Sequence, residues 1–229
     1  MPVWYWFFKF AVVGPVAIAV FGPRWHGREN LPRSGAFALA ANHLTALDAP
    51  MVSLGVPRKV IFIAKSKYYR APGLRGRLLR WFLTAIGQTP IEVESAQTAA
   101  PALDAARHLL ASGGVWAVFP AGTRSPDGRL YRGRTGLMRV ALPAGIPVIP
   151  VAVTGTRQPR RRLIRRPGTQ RVTITYGAPI DLSPWAARAS DPQAWREATD
   201  ALMARLVEMT GQEYVDQYAA RPTRGAVAE

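Results

Sequence analysis

Six short strand-like runs punctuate this chain, at 35–41, 60–64, 90–93, 115–119, 148–153 and 172–176, most of them apolar and the last alternating apolar with polar residues. Between them lie longer stretches whose apolar residues recur every three or four positions. Runs this short suit strands, and runs apolar throughout suit strands covered on both faces; the wider spacing puts one apolar stripe on a helix. The alternation predicts an α/β fold, a central mostly parallel sheet flanked by helices. Helices are expected over 46–54, 74–86, 100–112 and 135–144. Gly113-Gly114 stops the third, and Asp191-Pro192 opens a last long one with Trp195, Ala198, Leu202, Leu206 and Met209 on its apolar stripe. A length of 229 residues allows one sizeable core spanning 23–220. The segment 23–34 reads as a polar connection, and the tail over 221–229 is expected to fray.

The N-terminus departs from this pattern. Val3 to Gly22 carries a single charge, Lys9, and Trp4, Tyr5, Trp6, Phe7, Phe8 and Phe10 crowd its start. Aromatics of this kind favour the membrane interface. The run is barely long enough to span a bilayer, Pro15 interrupts it, and it lacks the basic start and small-residue cleavage site of a signal peptide. Three arrangements are open: a membrane-associated helix lying in the interface, a single spanning helix, and a buried core helix. Arg24, Arg28 and Arg33 follow at once, which places the α/β domain on the cytoplasmic face of the cell membrane if the segment is anchored there.

The formal net charge is +16 and the pI about 11.3. Such a field draws anionic lipid, phosphorylated substrates or nucleic acid. Arg157, Arg160, Arg161, Arg162, Arg165 and Arg166 form the densest basic stretch, suited to an anionic membrane surface and equally readable as a solvated loop. No recognition-helix or RNA-binding motif accompanies the charge, so no nucleic-acid partner is expected. Cysteine is absent, which excludes thiolate nucleophiles and cysteine zinc sites. His26, His43 and His108 show no metal-ligand spacing, and there is no Walker or dinucleotide glycine pattern; no metal and no cofactor are expected.

Two stretches carry chemistry. In Asn42-His43-Leu44-Thr45-Ala46-Leu47-Asp48, a histidine precedes a carboxylate by five residues, just after an apolar run. A carboxylate on one ring nitrogen fixes the tautomer and frees the other nitrogen to take a proton. Positions five apart in a helix point ~140° apart. The two can therefore meet only if His43 lies before a helix and Asp48 inside it. A capping or core histidine is the plainer reading. Downstream, Phe119-Pro120-Ala121-Gly122-Thr123-Arg124-Ser125 reads as strand end, turn and anion-binding loop, with flexible backbone, two hydroxyls and a guanidinium. An ordinary turn with a solvated arginine is the alternative.

Together these stretches resemble the glycerophospholipid acyltransferase family, and within it most the 1-acyl-sn-glycerol-3-phosphate (lysophosphatidic acid) acyltransferases. The resemblance runs over roughly 30–156. Asn42, His43 and Asp48 match the family's first block. Phe119, Pro120, Gly122, Thr123, Arg124 and Ser125 match its third, Phe-Pro-Glu-Gly-Thr-Arg-Ser. Ile146-Pro147-Val148-Ile149-Pro150-Val151 matches its fourth. The resemblance implies acyl transfer from acyl-CoA or acyl carrier protein, as co-substrate, to a lysophospholipid hydroxyl. His43 would be the general base and Asp48 its orienting acid. Asn42, Lys65, Gly122, Thr123, Arg124 and Ser125 would bind substrate, and backbone N–H groups at the helix start would hold the oxyanion. No Gly-x-Ser-x-Gly elbow is present for a covalent intermediate. Two positions depart: Ala121 stands where the family has Glu, and Val93 where it has Arg. Each removes a polar contact, which implies impaired or altered turnover. Glycerol-3-phosphate, another lysophospholipid or a glycolipid as acceptor stays open, as does a membrane-bound lipid-binding protein without turnover.

Overall fold

The computed structural model describes residues 2–65, 73, 77, 88–91, 100–159 and 169–220. The expected helix over 74–86 (apart from the isolated residue 77), Val93, the side chain of Lys65, Arg160 to Arg166 and the tail from 221 lie outside the described residues.

The fold is α/β, with a seven-stranded, mostly parallel sheet between helices. Its strands are β1 (Arg24–His26), β2 (Phe37–Ala41), β3 (Val60–Lys65), β4 (Gln88–Ile91), β5 (Val115–Val118), β7 (Val148–Thr154) and β8 (Thr173–Tyr176), in the order β1-β8-β7-β2-β5-β3-β4. Among the described residues, only the β7–β8 pair of this sheet is antiparallel. Pro90 falls on the edge strand β4, where a sheet tolerates proline. β2 is the centre. All five of its residues are buried, with Phe37, Leu39 and Ala41 on one face and Ala38 and Ala40 on the other. The large residues pack against α3 (Asp48–Gly55) through Met51 and Val52. The alanines let α4 (Ala100–Ala111), α5 (Met138–Ala144) and α6 (Pro192–Thr210) approach closely, filling that face with Leu103, Ala106, Leu142, Leu202 and Leu206.

Asp191 caps α6 by accepting from the Gln193 N–H at 2.9 Å, and Pro192 starts the helix, where its missing N–H costs nothing. After α6 the chain turns back. A short strand β9 (Tyr214–Val215) pairs with β6 (Leu130–Tyr131) and straps the segment that follows the Gly122 loop. These two strands and β1 are not expected from the sequence, because two or three residues carry no periodicity. In particular, the supposed connection 23–34 contributes β1, which joins the sheet edge through β8.

The N-terminal segment is one continuous helical rod: α1 (Pro2–Phe7), a π-helical stretch (Phe8–Val13) and α2 (Gly14–Phe21). Pro15 does not break it. The proline sits in the first turn of α2, immediately after the wider π turn, where its N–H is not needed. Val3–Phe21 is long and apolar enough to cross a membrane. One stripe of the rod is docked on the domain: the Val60 N–H donates to the Tyr5 hydroxyl at 3.1 Å, Lys9 donates to the Val56 carbonyl, and Ala17 joins the core. The opposite face exposes Val3, Trp4, Phe7, Phe10, Val16 and Ile18.

Candidate active site

Parallel strands deliver their C-terminal ends to one edge of the sheet, and in open α/β sheets that edge is where ligands bind. Here β2 ends at Ala41 and releases His43, β5 ends at Val118 and releases Phe119, and β7 ends at Thr154 and releases Thr156. The loop 42–47 turns directly into α3, whose first residue is Asp48. His43 thus lies before the helix and Asp48 within it, and they meet. His43 Nδ1 stands 2.8 Å from Asp48 Oδ2.

Asp48 is fully buried, and its carboxylate accepts five hydrogen bonds. On Oδ2 they come from His43 Nδ1 and from the N–H groups of Leu44 (2.6 Å) and Thr45 (2.8 Å). On Oδ1 they come from the hydroxyls of Thr156 (2.6 Å) and Thr45 (3.3 Å). A buried carboxylate is tolerated only with this degree of pairing. His43 is 17% exposed, and with Nδ1 on Asp48 its Nε2 is the nitrogen left for a substrate. Phe119 stacks on the imidazole at 3.8 Å between ring centres, 9° from parallel, and itself rests on Phe62. The Ser125 N–H donates to the His43 carbonyl at 2.8 Å. The 119–125 loop therefore wraps the histidine from below and alongside, and the two sequence stretches form one site.

Gly122 turns this loop at φ +75°, a conformation that favours glycine, and a Cβ there would come within 3.0 Å of Arg134 Nε. The Thr123 hydroxyl and the Arg124 guanidinium have no partner among the described residues, and Arg124 is exposed. Arg134 lies with its guanidinium over the Tyr218 ring at 4.9 Å. Asp127, farther along, is held well below the usual carboxylate range, chiefly by the Arg129 backbone N–H and then by its side chain and the Tyr131 hydroxyl.

Three expectations change. Asn42 is buried with its amide committed: Nδ2 donates to the Val153 carbonyl and to Gln212 Oε1, and Oδ1 accepts from the Val153 N–H. It joins β2 to β7 and has no amide hydrogen to spare for substrate. The Ser125 hydroxyl accepts from the Gly128 N–H and faces Asp127, so it closes the turn. The N–H groups of Leu44, Thr45, Leu47 and Asp48, expected to face an oxyanion, are engaged inside the protein, the first two by Asp48 and the others by Thr45. Two further residues were missed in the sequence. Thr156 bonds Asp48, and Gln212 ties Asn42 to the Gly128 carbonyl. A single Thr or Gln far from either motif carries no pattern; only the end of the β7 run pointed at the place. Lys65 ends β3, in register with Ile91.

The family profile described as Acyltransferase matches residues 22–154, and both halves of the site fall inside it. The chain belongs to the acyltransferase family. Among its relatives, the chloroplast 1-acyl-sn-glycerol-3-phosphate acyltransferase LPAT1 of Arabidopsis thaliana is 33% identical over 57% of this chain and 35% of its own length. The 1-acyl-sn-glycerol-3-phosphate acyltransferase of Limnanthes douglasii is 25% identical over 79% of this chain and 63% of its own. The acyltransferase thus spans about a third of the length of the first of these and under two thirds of the second. Its structure is similar to the crystal structure of the 1-acyl-sn-glycerophosphate (LPA) acyltransferase PlsC from Thermotoga maritima, with a TM-score of 0.58 and 25% identity, covering 88% of this chain and 80% of that one.

Proposed function

We propose that this acyltransferase moves a fatty acyl group from acyl-CoA or acyl carrier protein to the free hydroxyl of 1-acyl-glycerol-3-phosphate, making phosphatidic acid. The observation that carries the reading is the 2.8 Å His43–Asp48 pair seated beside the Gly122-Thr123-Arg124 loop. Asp48 accepts the Nδ1 proton, and Nε2 takes the proton of the acceptor hydroxyl. The oxygen attacks the thioester carbonyl carbon, the C–S bond breaks, and the thiolate leaves with the proton from His43. An ester and a free thiol result, with no covalent enzyme intermediate. Thr123, Arg124 and Arg134 receive the acceptor phosphate, a dianion suited to guanidinium and unengaged backbone N–H groups, and Lys65 adds charge from the end of β3. Asn42 holds β2 on β7.

The lipid surface is reached through the N-terminal rod. Its contacts from Tyr5 to Ala17 run about 18 Å along the helix at 1.5 Å per residue, which supports a rod lying on the membrane together with the domain over one that spans the bilayer. It lies in the interface on its exposed apolar face, with Arg24, Arg28 and Arg33 against anionic headgroups on the cytoplasmic side.

The test is thiol release from acyl-CoA with 1-acyl-glycerol-3-phosphate by wild type and His43→Ala. Base catalysis is worth roughly 10²–10⁴-fold, and His43→Ala retaining activity within a few-fold of an active wild type would remove His43 from the role. One observation favours a second reading: Ala121 in place of the family's Glu suits a lipid-binding protein without turnover. That reading prevails if Ala121→Glu releases no thiol from any acyl-CoA while lipid binding persists.

A further inference from the structure

We infer that Thr156 is a positioning residue for the His43–Asp48 pair, its hydroxyl holding the plane of the Asp48 carboxylate and so the aim of the imidazole. The inference rests on the acyl-transfer reading above and adds a residue to the machinery that lies outside both sequence motifs.

The argument starts from the two oxygens of Asp48. Oδ2 is gripped by three donors, all from the local loop. Oδ1 has one short bond, from Thr156 Oγ1 at 2.6 Å, and one long bond, from Thr45 Oγ1 at 3.3 Å. The Thr45 hydroxyl is also occupied in accepting from the Leu47 N–H. A turn of the carboxylate about its Cβ–Cγ bond moves both oxygens, so a short bond on each holds its plane more firmly than bonds on one. Thr156 supplies the second point. It does so from another element, 108 residues away, so the bond ties the start of α3 to the end of β7.

Burial makes the hydroxyl hard to replace. Thr156 is 1% exposed and Asp48 0%, so bulk water does not stand in for a lost donor. The chain is also bent to bring it there. Gly155 has φ +76°, and a Cβ on it would fall 2.2 Å from the Arg171 carbonyl oxygen. Only glycine passes at that point, and the turn it makes carries Thr156 off the strand toward Asp48. The same strand is stitched to the histidine side by Asn42, through the Val153 N–H and carbonyl. β7 thus holds the residue before the base and the acid behind it.

The experiment compares the full chain with Thr156→Val, Thr156→Ala, Thr156→Ser and His43→Ala. Two readouts are taken: steady-state thiol release from acyl-CoA with 1-acyl-glycerol-3-phosphate, and the ring ¹⁵N shifts of His43, which report its tautomer without substrate. Loss of the latch should lower kcat roughly ten- to hundredfold with KM nearly unchanged, the scale on which misplacement of catalytic groups acts. Thr156→Ser should restore most of the rate. In wild type and Thr156→Ser the proton should reside on Nδ1, whereas Thr156→Val and Thr156→Ala should shift it toward Nε2. The inference is overturned if Val and Ala keep the wild-type tautomer, if Ser is as impaired as Val, or if the loss lies in KM alone. Should Val fail to fold, Ala and Ser carry both readouts. An active His43→Ala would overturn the acyl-transfer reading, and the ¹⁵N shifts would still decide whether Thr156 orients the pair.

Discussion

The imidazole of His43 is held by its edge, its face and its backbone: by Asp48, by Phe119 and by the Ser125 N–H. Replacing Asp48 with Asn keeps the volume but gives the buried site an amide. One end of that amide donates where five donors already point. The neutral side chain no longer selects the Nδ1–H tautomer, and a loss of roughly 10²–10⁴-fold in kcat is expected; activity within a few-fold of wild type in the thiol-release assay would contradict it. Ala121 lies in the wrapping loop one residue before Gly122. Ala121→Glu is expected to raise kcat/KM by about tenfold, the equivalent of one charge-assisted hydrogen bond of about 1.5–3 kcal/mol at its lower end. At this scale much of the site was readable. His43, Asp48 and the Gly122-Thr123-Arg124 turn carry side chains whose chemistry is evident from type and order. Asn42 and Ser125 belong to the same motifs, yet their polar atoms are used inside the protein, and motif membership does not distinguish a group that meets substrate from one that builds the site.

Among the elements, the loop at Gly122 and the N-terminal rod have measurable signatures. Gly122→Ala forces an L-residue into left-handed backbone and brings its Cβ against Arg134. A cost of about 1–2 kcal/mol in unfolding free energy is expected, and an unchanged midpoint in urea would show that the loop had relaxed. In the rod, burial and then nearby Arg28 lower the Lys9 ammonium from 10.5 to about 8. Between those values the unfolded chain binds the proton and the folded chain does not, so this residue's contribution to stability rises with pH across that window. The wild type should therefore gain stability relative to Lys9→Met between about pH 8 and pH 10.5; a difference that does not move in the wild type's favour over that range would mean Lys9 is solvated. The rod itself was legible as apolar and helical, and Pro15 read as an interruption. The π turn that precedes Pro15 has no pattern in the apolar sequence around it.

For the molecule as a whole, the proposed membrane docking would draw on both the net charge of +16 and the exposed aromatic face. Binding to vesicles containing anionic lipid should weaken as salt shortens the Debye length from about 10 Å at 0.1 M to about 3 Å at 1 M. Substituting Trp4, Phe7 and Phe10 with Ala should weaken it at every salt concentration, because each buried aromatic contributes on the order of 1.5–3 kcal/mol. Salt-dependent loss without any effect of the triple substitution would place the rod away from lipid. The sequence by itself determined the α/β class, the apolar N-terminal segment, the two motifs and the cationic field, because strand runs, helical stripes and charge are properties of neighbouring residues. Only the tertiary structure decided that the two motifs share one site, that Thr156 and Gln212 stand behind it, and that β1, β6 and β9 complete the sheets. Those features join residues from about 80 to 170 positions apart. Sheet register and core packing bring them together, and no local pattern records which distant hydroxyl will meet a buried carboxylate.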